Sequence, residues 1–134
     1  MTRRAGSSTP CTIADARLRL DDARRFLEAA QVLNEPGNGD VVATNAIHSA
    51  IAAADVLCCL RLAQRSNDGN HSAAIRLLQQ IDPQLAQKLR RALDHKRQAG
   101  YESRNLSDAD ASTCVEQAVK LVAAAQEALL GATS

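Results

Sequence analysis

Aromatic residues are nearly missing from this sequence: one Phe, one Tyr and no Trp in 134 residues. Readers of single-stranded RNA stack bases on aromatic rings, so the shortage counts against a stacking-type reader. The formal net charge is only +1, and no overall basic field argues for nucleic acid. No run alternates with period two, so no strand is expected. There is no Gly-rich phosphate loop, paired-carboxylate site, nucleophile elbow or HExxH motif. The four cysteines, Cys11, Cys58, Cys59 and Cys114, show no CxxC spacing. Neighbours on a helix point about 100° apart, so neither a bond joining Cys58 to Cys59 nor a zinc site using both is expected. His and Cys form no ligand set at a usual spacing, and neither a metal nor a cofactor is expected. With no leader-like stretch, the cysteines read as buried or half-buried thiols in a reducing cytoplasm.

What is present is helix. The stretch Asp40 to Gln64 carries Val41, Val42, Ile47, Ile51, Val56, Leu57, Leu60 and Leu62 around every side of its axis. A helix apolar all round has to be buried by other helices. Ala46, Ala50, Ala53 and Ala54 keep it slender, which allows close approach by neighbours. Asn45, His48, Ser49 and Asp55 interrupt it, and such groups are expensive in lipid, so no membrane span is expected.

Other helices flank it. Ile13, Ala16, Leu20, Ala23, Leu27 and Ala30 recur in steps of three and four, an amphipathic stripe over about Thr12 to Asn34. Asp21, Asp22, Arg24, Arg25 and Glu28 make a charged outer face, with i,i+4 pairs of opposite sign. Glu35-Pro36-Gly37-Asn38-Gly39 and Ser66-Asn67-Asp68-Gly69-Asn70 read as turns. A short third helix should cover His71 to Ile81. Asp82-Pro83 then restarts a fourth with Asp as N-cap, ending around Gly100 to Ser103. Ser107 to Asp110 resembles a capping box for a fifth helix, with Gly131 in the position of a C-cap glycine. The expected fold is all-α: a single-domain up-and-down bundle of about five helices over residues 12–131, behind a frayed, flexible N-terminus at residues 1–11.

Four local features resemble the HEPN family of prokaryotic helical-bundle proteins, whose members occur in toxin–antitoxin pairs. They are Asn45-Ala46-Ile47-His48-Ser49-Ala50 continuing to Val56-Leu57, Gly69-Asn70-His71-Ser72 with Ile75, Arg97-Gln98-Ala99-Gly100-Tyr101, and Leu106-Ser107 with Ala111, Ala118 and Val122. The resemblance implies a HEPN-like bundle that homodimerises and binds a nucleotidyltransferase-type partner protein, a nucleotide or RNA. Catalytic members are metal-independent ribonucleases with an arginine, a polar residue, a spacer and a histidine. Here Arg104-Asn105 lacks a following histidine, and Arg90 to His95 has Arg91 in the polar position. The resemblance therefore points to a binder rather than an enzyme, with a ribonuclease using His95 as general base and Arg90 or Arg91 for charge stabilisation as the alternative. A structural adaptor is the third reading.

Several side chains could serve binding. Asn45, His48 and Asp55 form a polar stripe on the central helix, with His48 and Asp55 two turns apart and nearly in line. They mark either a polar pocket in which Asp55 orients His48, or a hydrogen-bond network on a narrow solvent-facing strip. His71 is either a ligand contact or a capping and packing residue. Arg90, Arg91, His95, Lys96 and Arg97 are the densest basic cluster, suited to phosphates or simply a solvated face. Arg97 and Tyr101, four apart, share one helix face. Arg97 should reach a groove shared with His48 or His71 while the Tyr101 ring covers the bundle end.

Overall fold

A computed structural model describes residues 7–67, 69–95 and 106–133. Among the described residues it contains five helices: α1 (Ile13–Val32), α2 (Gly39–Leu62), α3 (His71–Ile81), α4 (Pro83–Asp94) and α5 (Asp108–Thr133). Two three-residue strands, β1 (Ser8–Pro10) and β2 (Gln64–Ser66), complete it. The fold is an all-α bundle with a very small sheet.

Four of the five helices start where a side chain satisfies free backbone N–H groups, whereas α2, which follows Asn38, has no such cap bond. At α1 the Thr12 hydroxyl accepts from the Asp15 N–H (3.1 Å), and the Asp15 carboxylate accepts from the Thr12 N–H (2.9 Å). That backbone hydrogen bond is the main cause holding the Asp15 carboxyl below its ordinary value. Asp82 caps α4 through Oδ1, accepting from Gln84 N–H (2.9 Å) and Leu85 N–H (3.2 Å), with Pro83 as the first helical residue. Ser107 does the same for α5 by accepting from the Asp110 N–H (3.0 Å).

The apolar surface of α2 dictates the packing. Val42 to Cys59 is buried apart from Thr44, Asn45 and His48. By length and composition α2 could cross a membrane, yet 72% of its apolar window is buried inside the bundle. Helices α1, α3, α4 and α5 all touch it. Ala16, Leu20, Ala23 and Ala30 of α1 are buried, and the Ser49 hydroxyl donates to the Ala23 carbonyl at 2.7 Å, so the only buried serine of α2 sits satisfied at a close helix contact. Ile13, expected on the stripe, is exposed, while Cys11 just before the helix is buried instead. The long helices alternate in direction: α1 and α4 oppose α2 and α5, and the short α3 lies over the C-terminal half of α2.

The start of α5 is seated on the start of α2. Asp40 Oδ1 accepts from the Leu106 N–H at 2.6 Å, and the Gly39 Cα faces the Leu106 and Ser107 carbonyls with no room for a Cβ.

Three expectations are corrected. Residues 8–11 are not frayed: β1 pairs antiparallel with β2 (Ser8 opposite Ser66, Thr9 opposite Arg65, Pro10 opposite Gln64). Three residues are too short to show an alternating pattern, which is why no strand is legible in the sequence. Cys11 and Cys59 form a disulfide with Cα atoms 5.0 Å apart, so only Cys58 and Cys114 are the expected buried thiols. In the chain-entropy account, closing this 48-residue separation stabilises by about 4 kcal/mol. Gly131 ends nothing, because α5 continues through it to Thr133.

Gly39→Ala tests the α2–α5 seat. Alanine in a helix gains up to about 1 kcal/mol over glycine. The added Cβ, however, meets backbone that no rotamer change can move. The overpacking should win, giving a net loss of about 1–3 kcal/mol read from the urea midpoint. A variant as stable as the parent would show that the two helix starts are not in this contact.

Candidate functional site

Helix α1 and helix α2 meet in antiparallel register, and that register creates the site. Arg19 Nε donates to Asp55 Oδ2 at 2.9 Å. Seven residues forward on α1 and seven back on α2, the Phe26 ring stacks on the His48 ring, with centroids 5.2 Å apart and planes at 29°. Residues seven apart return to nearly one helix face, so both pairs lie along the same edge of the α1–α2 interface. The exposed strip of α2 runs through Val41, Thr44, Asn45 and His48; its continuation at Asp55 is covered.

Asp55 is only 3% exposed. A buried carboxylate needs a counter-charge and hydrogen bonds, or its desolvation is costly. Arg19 supplies the charge, and Ser66 Oγ lies 3.5 Å from Asp55 Oδ1 on the β2 side. Arg19 also bridges to Asp22 at 3.3 Å. One carboxylate thus joins α1, α2 and β2.

A cavity of about 300 Å³ opens beside this pair, lined by Arg19, His48, Ile51, Asp55, Ser66, Asn67, Gly69 and His71. Three residues singled out in the sequence, His48, Asp55 and His71, are therefore brought together. His71 is the first residue of α3; the capping is done by Asn70, whose side chain accepts from the Ala73 N–H at 3.0 Å. Arg19, Ser66 and Asn67 were not recognised in the sequence. Arg19 sits on the flank of the α1 stripe, and its only legible sign is the seven-residue step to Phe26. Ser66 and Asn67 read as ordinary turn residues.

The proposed catalytic trio is placed differently. Arg90 and Arg91 are exposed on α4. His95 caps the helix end: its Nδ1 lies 3.1 Å from the Arg91 carbonyl, and its Nε2 lies 3.6 Å from Asp110 Oδ1 of α5. Both ring nitrogens thus face groups of the bundle itself. Arg97 and Tyr101, with the groove expected of them, lie outside the described residues, as do Lys96 and Arg104-Asn105. A larger groove of about 610 Å³, lined by Leu57, Leu60, Ile81, Leu85, Ala124 and Ala128 with Arg61, Asp82 and Glu127, holds none of the candidate site residues named from the sequence.

The free thiols offer no nucleophile. Burial pushes Cys58 up from an ordinary 9.0 to about 12, with a contribution from the Asp55 charge. Burial likewise raises Cys114 to about 11, with Asp110 adding to it. Thiolates are the reactive form, so both remain inert near neutrality. Among the described residues, no group of three or more His, Cys, Asp or Glu side chains is arranged to hold a metal ion.

No protein-family model matches the chain, and comparison with curated proteins finds no match. Neither comparison identifies a HEPN domain.

Two measurements check this site. Arg19→Met strands the Asp55 carboxylate and should cost about 2–3 kcal/mol, below the range for fully buried pairs because Arg19 keeps some solvent contact. The double variant Arg19→Met/Asp55→Leu should recover part of that loss; strictly additive losses would mean the pair is not coupled. The thiols predict alkaline behaviour. Above pH 9 the unfolded chain sheds thiol protons that the folded chain keeps, so stability falls as pH rises toward about 11 for Cys114 and about 12 for Cys58. The slope reaches at most about 1.4 kcal/mol per pH unit for each thiol. Urea midpoints across this range should fall more steeply for the parent than for Cys58→Ala/Cys114→Ala.

Proposed function

We propose that this chain acts by binding, as a non-catalytic HEPN-like bundle, and that the cavity between α1, α2, β2 and α3 takes up a nucleotide. The observation carrying this reading is the convergence of His48, Asp55 and His71 with Arg19 on one cavity of about 300 Å³. That volume is at the lower end of small-ligand sites, which combine a largely preformed shape with a few convergent polar groups. The lining combines imidazole, hydroxyl, amide and guanidinium groups, the polar chemistry that phosphate oxygens or base edges require of a site. Asp55 is already charge-matched by Arg19, which lessens its repulsion of an anionic ligand. The resemblance supplies the ligand class; the geometry supplies the cavity. The homodimer and the nucleotidyltransferase-type partner are carried forward from the resemblance as assemblies to look for on purification.

Binding is favoured over cleavage because both ring nitrogens of His95 are turned to the chain's own groups. Calorimetric titration with AMP and ATP provides the test. His48→Ala and His71→Ala should each weaken binding about tenfold, equivalent to one hydrogen bond to a charged group. Asn45→Ala, outside the cavity lining, should bind as the parent does. The reading is overturned if neither nucleotide binds at millimolar concentration. It also falls if the purified chain cleaves RNA without metal and His95→Ala abolishes that cleavage.

A further inference from the structure

The cavity has one wall that is not helical. Ser66 ends β2 and Asn67 follows it, whereas every other lining residue except Gly69 belongs to a helix. Among the described residues β2 has one strand partner, β1, and each strand is three residues long. A pair this small is not stable by itself in water. Its order has to come from what anchors it.

The anchor is covalent. Cys11, directly after β1, is bonded to Cys59 in the last turn of α2, just before the chain turns into β2. The Cys11 N–H donates to the Ala63 carbonyl at 3.0 Å. Ala63 is the only non-glycine residue with positive φ (55°) among the described residues, a conformation that alanine adopts at a cost. From there β1 reaches the cavity wall directly. The Asn67 N–H donates to the Ser7 carbonyl at 3.1 Å, and the Thr9 hydroxyl bonds to the Asn67 side chain. The chain of contacts is continuous: disulfide, β1, β2 with Asn67, cavity.

We propose that the Cys11–Cys59 disulfide is a redox latch on the His48–Asp55–His71 cavity, closed when oxidised and released by a dithiol reductant. The latch rests on the cavity reading given above and adds its regulation. In the release step a thiolate of the reductant attacks one protein sulfur, giving a mixed disulfide and one free cysteine thiolate. The reductant's second thiol then displaces the other protein sulfur. Two electrons and two protons pass to the protein, leaving Cys11 and Cys59 as thiols and the reductant as its own disulfide. Cys58, adjacent in sequence, is buried and protonated, so it does not divert the exchange. Both bonded cysteines are about 5% exposed or less, so attack requires β1 to open first. Linkage then demands reciprocity: whatever factor the closed latch adds to ligand affinity, bound ligand adds to the resistance of the bond to reduction. Disulfides in reducing compartments are usually transient or redox-sensing, which is how such a latch would operate there.

The test compares the full chain, oxidised and after treatment with dithiothreitol, by amide hydrogen exchange and by the imidazole NMR signals of His48 and His71. Reduction should speed exchange at the Cys11 and Asn67 amides by about tenfold or more, the signature of local opening, while the far-UV helix signal stays intact. The imidazole signals should shift, Cys11→Ala should reproduce both changes without reductant, and ATP should bind the reduced chain about fivefold more weakly. Unchanged exchange at Asn67 and unchanged imidazole signals overturn the latch. Loss of the helix signal on reduction also overturns it, by assigning the bond to global stability. So does equal ATP affinity in the two states. If ATP binds neither form while the exchange and imidazole changes appear, the latch stands and the nucleotide reading falls.

Discussion

Everything in this fold follows from the need to enclose α2. Its apolar side chains point in all directions, and no single neighbour can cover them. Helices α1, α3, α4 and α5 do so together. Close approach is achieved with small groups rather than large ones: Ala16, Ala23 and Ala30 on α1, the alanines of α2, and Gly39, whose bare Cα lets the start of α5 rest on the start of α2. Such a core gains less from each side chain than one rich in Leu and Phe, but it packs backbone near backbone and fixes the helix register tightly. Packing of this kind leaves little space for aromatic rings in the core.

One group resists that logic. Asp55 carries charge into the most enclosed part of α2, where an unmatched carboxylate is not tolerated. Its demand for partners draws Arg19 from α1 and Ser66 from β2 to one point. The polar cavity lies beside this junction, and Arg19, Asp55 and Ser66 all contribute to its lining. A hydrophobic residue at position 55 would make a simpler core and leave β2 without its hydrogen bond to α2. The buried ion pair thus ties α1 and β2 to one point on α2.

Seen this way, the cavity and the disulfide belong to one corner of the molecule. The helices give that corner its shape, and β1 and β2 close its side. The opposite features of the chain, the exposed arginines of α4 and the histidine that caps it, are turned outward or spent on the bundle's own carbonyl and carboxylate groups. Binding chemistry gathers where α1, α2, β2 and α3 meet, and no comparable convergence occurs around His95 among the described residues.

The sequence by itself determined the five helices and the caps of α4 and α5 at their starts. Their signals are local: a period of three to four in α1, an apolar surface on every side of α2, Asp82-Pro83 and Ser107 at helix starts. These depend on neighbours within a turn or two, so they are legible without knowing what packs where. It also marked His48, Asp55 and His71, because polar groups on an otherwise apolar helix and a histidine at a helix start stand out in one dimension. Only the tertiary structure decided that the three share a cavity, that Arg19 answers Asp55 from 36 positions away, and that Cys11 finds Cys59 across 48. Those pairings are set by the register of one helix against another and by the path of two three-residue strands. Neither leaves a periodic trace in the chain, because register is fixed by the packing of whole surfaces and not by any residue alone.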